Sequence, residues 1–397
     1  MKQLSTKLRG IARRFLDLSS QEGVIPALRR GGVWLQRRVR REPTAAPDAA
    51  VVSPALAGGG GPALAGDTLY AFYDLDLHPI SFDVGWFVMC ADQERARRGL
   101  ARMHVVFVPM DEPENRPVPE NYGKVIDYIS RTWRFENIVL PFATLLPSSA
   151  GFTVCGTRSQ AALMRSLACH RFPGDHERPS HPEYYRAVIA AFGRGRTDWG
   201  FRAHVQGLRY VRQWMDQQVG DRRMVVITLR QYKVDEGRNS SPADWLAFAR
   251  SLDPALYCPV FVPDTDHVFD AGERWYDEFP VFEAACWNIG LRLAINQAAY
   301  LNLFVNTGAN TLCLLNAACR YIFFKVIVPG IELASVDFLR LQGFEVGTSP
   351  SYATPLQKWV WHPDTSDIIL REFNSMVKRI EAVETASDLA SVAREIA

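Results

Sequence analysis

MVVITLRQYKVDEGRNSS, residues Met224–Ser241, opens as an apolar strand, turns polar abruptly at Arg230 and leads into a helix. A second segment, FVNTGAN (Phe304–Asn310), repeats the sequence of strand, polar turn and helix. In an open α/β sheet, ligands sit in the crevice beyond the carboxyl ends of the strands. The first segment delivers Arg230 to such an end, and its loop adds Lys233, Arg238 and Asn239. The second delivers Asn306, Thr307, Gly308 and Asn310. Cations on one loop and small hydrogen-bonding residues on the other suit a phosphorylated ligand.

Working outward, the same alternation recurs on both sides. Strands are predicted at Leu69–Leu75, Met103–Val108 and Ile138–Leu140. Helices are predicted at Phe82–Arg98 and Tyr122–Trp133, with a further strand and helix between Val154 and Gly174. Strand, helix, strand at this spacing is a βαβ unit and implies a parallel sheet. Residues 175–200 are polar and Pro/His-rich, which suits a connection or cleft loop. A helix at Phe201–Gln218 leads into a second series, with strands at Met224–Leu229, Cys258–Val262, Leu301–Val305 and Ile322–Ile327. Helices at Pro242–Ser251, Phe282–Ala294, Asn310–Ala318 and Ile368–Val383 alternate with them. The expected architecture is α/β: an N-terminal domain over 67–218 and a C-terminal domain over 219–397.

The 397 residues carry 48% hydrophobic and 22% charged side chains, an ordinary soluble composition. Charge is distributed unevenly. Residues 1–42 hold eleven Lys or Arg against three acids, whereas the whole chain is only +2. Leu4, Leu8, Ile11, Phe15 and Leu18 fall on one helical stripe, with Lys2, Arg9 and Arg13 opposite. A basic amphipathic arm of this kind suits an anionic membrane surface, or a packing role on the body or a partner. Nucleic acid is disfavoured, because no aromatic residues are interleaved as a stacking platform. Pro43–Gly66 is an Ala/Pro/Gly linker expected to be disordered. Seven scattered cysteines, without a CxxC pair or Cys/His cluster, suit buried free thiols in a reducing compartment. No apolar run reaches a membrane-spanning length, and no secretory signal is evident, so a cytoplasmic protein, peripheral on the inner face of the cell membrane, is expected.

Arg230 closes its strand, where a guanidinium can grip a diphosphate bidentately; the alternative is pairing with Asp235 or Glu236 of its own loop. Thr307 or Asn310 can cap the following helix, whose free N–H groups would form an anion site approached closely over Gly308. Asp264, in CPVFVPDTD (Cys258–Asp266), can accept a hydrogen bond from a nucleobase or ribose, or orient a loop; Asp266 can cap a turn. In the first half, HPISFD (His78–Asp83) joins strand and helix at the cleft. His78 can serve there as a base or bind the acceptor, although a lone loop histidine is more often structural. Asp83 can serve as a helix cap, a base or a partner for His78. His104, which opens a strand, reads as structural, and His170 and His176 are too isolated for a metal site.

Absences narrow the chemistry. No GxGxxG follows the first strand, and no GxxxxGK[ST] or GxSxG is present, which disfavours a dinucleotide dehydrogenase, a P-loop NTPase and an α/β-hydrolase. No DxD triplet stands out with apolar flanks, since DLDLH (Asp74–His78) lies within the opening strand.

ITLRQYKVDEGRNSS, FVPD and LFVNTGANTLCLL together resemble the C-terminal half of two-domain (GT-B) glycosyltransferases, nearest to the fucosyltransferase-like branch and related bacterial surface-polysaccharide enzymes. LYAFYDLDLHPISFDVGWFVMCADQERARRG followed by MHVVFVP is similar to proteins of bacterial capsule and O-antigen loci. The likeness covers roughly residues 67–380. It implies two Rossmann-like domains facing across a cleft and a metal-independent glycosyltransferase without a cofactor. A nucleotide-sugar would be the donor substrate, and a glycan, expected to be lipid-linked, the acceptor. By matched position, Arg230 would contact the donor diphosphate, and Thr307, Gly308 and Asn310 would line its phosphate end. The family's His–Arg–Arg core is Leu229–Arg230–Gln231 here, and Thr307 and Asn310 replace its Ser pair. These departures leave the sugar open. They also keep two alternatives: a catalytically silent scaffold of a membrane polysaccharide-assembly complex, and another two-domain α/β enzyme acting on phosphorylated sugars, such as an epimerase or hydrolase.

Overall fold

The computed structural model describes residues 51–52, 64–111, 126–174, 181–192, 199–265 and 274–396. The basic arm over 1–42, most of the linker, His176 and Asp266 lie outside the described residues.

Two five-stranded sheets organise the chain. The first contains β1 (Val51–Val52), β2 (Thr68–Asp74), β3 (Arg102–Val108), β4 (Ser149–Val154) and β5 (His170–Phe172), in the order β1-β4-β3-β2-β5. All its pairings are parallel except β1 against β4. The second contains β6 (Arg223–Thr228), β7 (Tyr257–Val262), β8 (Leu301–Phe304), β9 (Tyr321–Phe323) and β10 (Gln357–Trp359), in the order β10-β9-β8-β6-β7, all parallel. Two Rossmann-like halves are therefore present, as expected. β2 is buried through six of its seven residues and β6 through five of six. Both faces of such strands are covered, as parallel sheets require.

Helices supply that cover. In α1 (Val84–Arg97) the first turns are apolar all round and buried from Val84 to Met89. Its last turns are charged, with Arg97 and Arg98 both paired to Glu94. The others are α2 (Tyr128–Arg134), α3 (Arg158–Leu167), α4 (His181–Ala191), α5 (Val205–Gln218), α6 (Pro242–Ser251), α7 (Ile289–Ala298), α8 (Thr311–Leu314), α9 (Val336–Leu341) and α10 (Ser366–Ile396). On α10, Ile369, Phe373, Met376 and Ile380 form a buried stripe at helical spacing, packed on the second sheet.

In each half the strand order reverses beside the first strand. The chain runs β2, β3, β4 to one side and places β5 on the other; it runs β6 to β7 and places β8, β9 and β10 opposite. The crevices at the carboxyl ends of β2/β5 and of β6/β8 are thus the topological switch points. One apolar core runs between the halves, joining Tyr73, Trp86 and Phe142 to Phe201, Leu312 and Trp359. The connecting segment ties them as well: the Phe201 N–H donates to the Leu315 carbonyl at 2.9 Å, and the Arg202 N–H to the Leu145 carbonyl at 2.8 Å.

Several expectations are corrected. Ile138–Leu140 is helical: α2 continues through a π turn at Phe135–Val139 to Phe142. A short apolar run does not separate strand from helix by periodicity alone. The helix expected at Asn310–Ala318 is a 3-10 turn (Gly308–Asn310) followed by the single turn of α8. Asn316, fully buried, ends it by accepting from the Arg202 guanidinium and the Ala318 N–H. The β9 ladder stops at Phe323, and Lys325 takes a left-handed φ of 54°. The Phe282–Ala294 segment is a 3-10 turn at Glu283–Cys286 and then α7. The stretch read as a polar loop includes α4. Within the expected linker, Val51 and Val52 pair with Val154 and Thr153 on a sheet edge; they form its one β-branched pair.

His104 is structural, and its environment makes a pH prediction. Nδ1 faces the Ala150 carbonyl at 3.2 Å, so it must carry the proton; Nε2 then accepts from the Thr153 hydroxyl at 2.9 Å. Burial lowers its pKa from the usual 6.5. A depressed folded value means that the unfolded chain binds the proton more readily. The contribution is complete above 6.5 and is lost as pH falls through the folded value. Melting temperature should therefore fall between about pH 7 and pH 5 more steeply for the wild type than for His104→Asn.

Candidate active site

A cavity of about 840 Å³ lies between the halves. From the first half it is lined by Ser81, Phe82, Asp83 and Trp86, by one face of α2 and its extension, and by Tyr185. From the second come Arg230, Tyr232, Arg238, Asp264, Asn306, Thr307 and Gly308, with an apolar end formed by Leu333, Phe338 and Trp359. Both switch points open onto this one space, and each is bridged by a hydrogen-bonded pair.

At the first, Asp83 precedes α1, and its carboxylate accepts from the Tyr185 hydroxyl on α4 at 2.7 Å and from the Ser81 hydroxyl at 2.8 Å. Trp86 stacks on the Tyr185 ring with centroids 4.0 Å apart. Burial, with the Asp83 charge beside it, drives the Tyr185 pKa well above its usual value, so the phenol stays a donor. Asp83 is thus held at the cavity wall in a fixed orientation.

At the second, Arg238 reaches from the β6 loop to the end of β8. Its Nη2 donates to the Asn306 carbonyl at 3.1 Å and to Asn306 Oδ1 at 2.9 Å, and its Nη1 lies 3.4 Å from Asp235 Oδ2. Burial lowers its pKa, opposed by Asp235 and, across the cleft, by Asp83. An acid of one half thus faces a cation of the other.

Arg230 lines the same wall but spends its donors on its own loop. Nη2 donates to the Val234 carbonyl at 2.6 Å, and Nη1 to the Asp235 carbonyl at 3.1 Å and to Asn239 Oδ1. Only 4% of it is exposed, and burial, together with the Arg238 charge, brings its pKa down to about 10. Neither Asp235 nor Glu236 pairs with it through a carboxylate; it organises the loop through carbonyls while keeping its charge at the cavity.

Four other expected site residues do not line the cavity. His78 is buried against Tyr73, with ring centroids 4.8 Å apart, and against Phe87 and Tyr184, so its imidazole belongs to the core of the first half. Asn239 uses its side chain within its loop, donating to the Tyr232 carbonyl and accepting from the Tyr232 N–H, both at 3.0 Å. Asn310 is buried and donates to the Val305 carbonyl. Lys233 is exposed and does not line the cavity. Asp264 and Thr307 are at the wall; Asp264 accepts from the Gln231 N–H at 3.4 Å and so orients the loop. Gly308 faces protein: a Cβ there would lie 3.0 Å from the Phe82 ring of the other half. The single turn of α8 has too little helix dipole to form the anion site expected of a longer helix.

Sequence reasoning missed Tyr185, Tyr232, Arg134, Lys325 and Asp364. Asp364 is 3% exposed and accepts from the Trp245 indole at 2.9 Å and the Ser241 N–H at 3.1 Å. Lys325 lies 3.3 Å from Asp364 and donates to the Asn239 carbonyl at 2.8 Å, buttressing the β6 loop from behind. Arg134 lies one residue beyond the helix expected at Tyr122–Trp133, so its position on that helix's face was the available signal.

Solved structures similar to this chain include glycosyltransferases. Escherichia coli ADP-heptose LPS heptosyltransferase II is similar at 10% identity and a TM-score of 0.40, over 79% of this chain and 99% of that one. A glycosyl transferase of family 9 from Veillonella parvula is similar at 9% identity and 0.36, over 65% and 80%. The wall teichoic acid polymerase TagF is similar at 10% identity and 0.32, over 83% and 90%. No family model matches the chain, and no curated protein matches it in sequence. With such identities and scores, the functional reading rests on the site itself.

Proposed function

We propose that this chain is a glycosyltransferase that takes a sugar from a nucleotide-sugar bound by the second half and places it on an acceptor hydroxyl presented by the first. The observation that carries this reading is the cavity between the two switch points, with Asp83 on one wall and Arg238, beside Arg230, on the other. Asp83 takes the proton of the acceptor hydroxyl while the oxygen attacks the anomeric carbon. The bond from that carbon to the diphosphate breaks, and its electron pair leaves with the phosphate oxygen. Arg238 and the charge of Arg230 stabilise the departing anion in a partly desolvated site, where such charges count most. Leaving-group stabilisation is thereby assigned to guanidinium groups, making the transfer metal-independent; no cofactor enters the scheme, and the nucleotide-sugar is a substrate.

The acceptor is proposed to be a surface glycan carried on a lipid. The face of α2 that lines the cavity presents Ile129, 76% exposed, and Trp133, 37% exposed; Leu333 opposite is 51% exposed. Exposed apolar groups at a cavity rim suit an amphiphile better than a free sugar. The basic arm would hold the protein on the inner face of the membrane; among the described residues, no helix is long and apolar enough to cross one.

Nucleoside diphosphate binding checks the donor assignment. Arg238→Met should weaken it by about ten- to a hundredfold, the worth of a charge-assisted hydrogen bond; unchanged affinity would remove Arg238 from the site. One observation favours the silent scaffold: the Arg230 donors are already engaged within its loop. Lack of thermal stabilisation by any nucleotide-sugar would support that reading.

A further inference from the structure

Tyr232 lies between two arginines from different halves of the molecule. The Arg230 guanidinium carbon is 5.7 Å from the centre of its ring, and that of Arg134 is 5.8 Å away. Arg134 comes from the last turn of α2, where the helix passes into the π turn, and its Nη2 donates to the Tyr232 hydroxyl at 3.1 Å. Among the described residues this is its one side-chain hydrogen bond, and it has no ion pair. Arg134, Arg230 and Arg238 all line the cavity. Asp235 and Asp264 act electrostatically on Arg230, and Asp235 on Arg238. π turns inside α-helices are frequent at functional sites.

Three guanidinium groups around one cavity repel one another, and an anion among them turns that repulsion into attraction. Two of the three are already engaged by their own loop and by the end of β8. Arg134 alone keeps most of its fork of donors uncommitted, and a fork of this kind matches phosphoryl oxygens bidentately.

We infer that Arg134 completes an anion subsite for two linked phosphoryl groups and exchanges its tyrosine hydroxyl for the ligand when that ligand binds. The diphosphate is then gripped from both halves at once, and α2 is drawn towards the second half. This deepens the donor reading above and rests on it for the identity of the natural ligand, but the probe is inorganic pyrophosphate, which needs neither base nor sugar.

Calorimetric titration of the full chain with pyrophosphate, at low and moderate salt, tests it. The wild type should bind, Arg134→Met should bind at least tenfold more weakly, and its affinity should depend less on salt. Arg134→Lys should recover part of the loss. Tyr232→Phe removes the hydroxyl that holds Arg134 and should bind at least as tightly as the wild type. Absence of wild-type binding, or Arg134→Met within twofold of wild type, overturns the inference; so does weaker binding by Tyr232→Phe, which would make the hydroxyl the ligand contact. If nucleoside diphosphates bind the wild type and Arg134→Met equally, the transferase reading stands and the Arg134 subsite falls.

Discussion

Asp83→Asn should lower the rate of sugar transfer by about 10²- to 10⁴-fold, the usual contribution of a positioned general base, while leaving donor affinity close to that of the wild type. The substitution keeps the shape of the side chain. Its carbonyl oxygen can still accept from Tyr185 or Ser81, so the fold should survive. It removes the negative charge opposite Arg238 and the lone pair that takes the proton. Single-turnover measurement with a lipid-linked acceptor separates the chemical step from binding. A variant that retains the wild-type chemical rate would mean that Asp83 is only the acceptor of the Tyr185 hydrogen bond, and that the proton leaves by another route.

The largest effect on stability should come from Gly200→Ala. Gly200 has a φ of +95°, and a Cβ there would stand 2.2 Å from the Leu315 carbonyl oxygen. The left-handed backbone alone costs roughly 1–3 kcal/mol for a residue with a side chain. The clash adds to this because the neighbour is backbone: Gly200 and Asn316 form a β-bridge, and the Phe201 N–H donates to that same carbonyl. A total of about 3 kcal/mol or more is expected, since neither side can move without parting the two halves. Urea denaturation should show a much lower midpoint, or a chain that does not fold. An unfolding free energy within about 0.5 kcal/mol of wild type would show that the connecting segment is free to shift.

Much of the architecture was legible because it rests on local pattern. Continuous apolar runs such as MVVITL and MHVVFV have the composition of parallel strands, and those strands formed within a residue or two of their expected limits. Pro242–Ser251 formed as expected, with proline in its first turn. Some failures fall where tertiary contacts override local preference. Asn310–Ala318 has a helical composition, yet Asn316 is drawn into hydrogen bonds with Arg202 from the connecting segment, and the helix stops after one turn.

The site divides along the same line. Sequence identified the two loops of the second half and Asp83, since the ends of strands are readable. It could not show which way the side chains turn. Arg230, the residue with the strongest motif, folds back onto carbonyls of its own loop, whereas Arg238 spans the switch point. His78 was attractive by type and position, but three aromatic rings enclose it. Tyr185 and Arg134 act on the cleft from elements distant in sequence, and only the fold brings them to Asp83 and Tyr232.

Titration of the wild-type chain with a panel of nucleotide-sugars, followed by acceptor-dependent release of the nucleoside diphosphate, tests the central claim most directly. At least one donor should bind and be consumed only when an amphiphilic glycan acceptor is present, with one diphosphate released per glycosidic bond formed. Failure of every donor to bind, or diphosphate release that ignores the acceptor, would contradict the account.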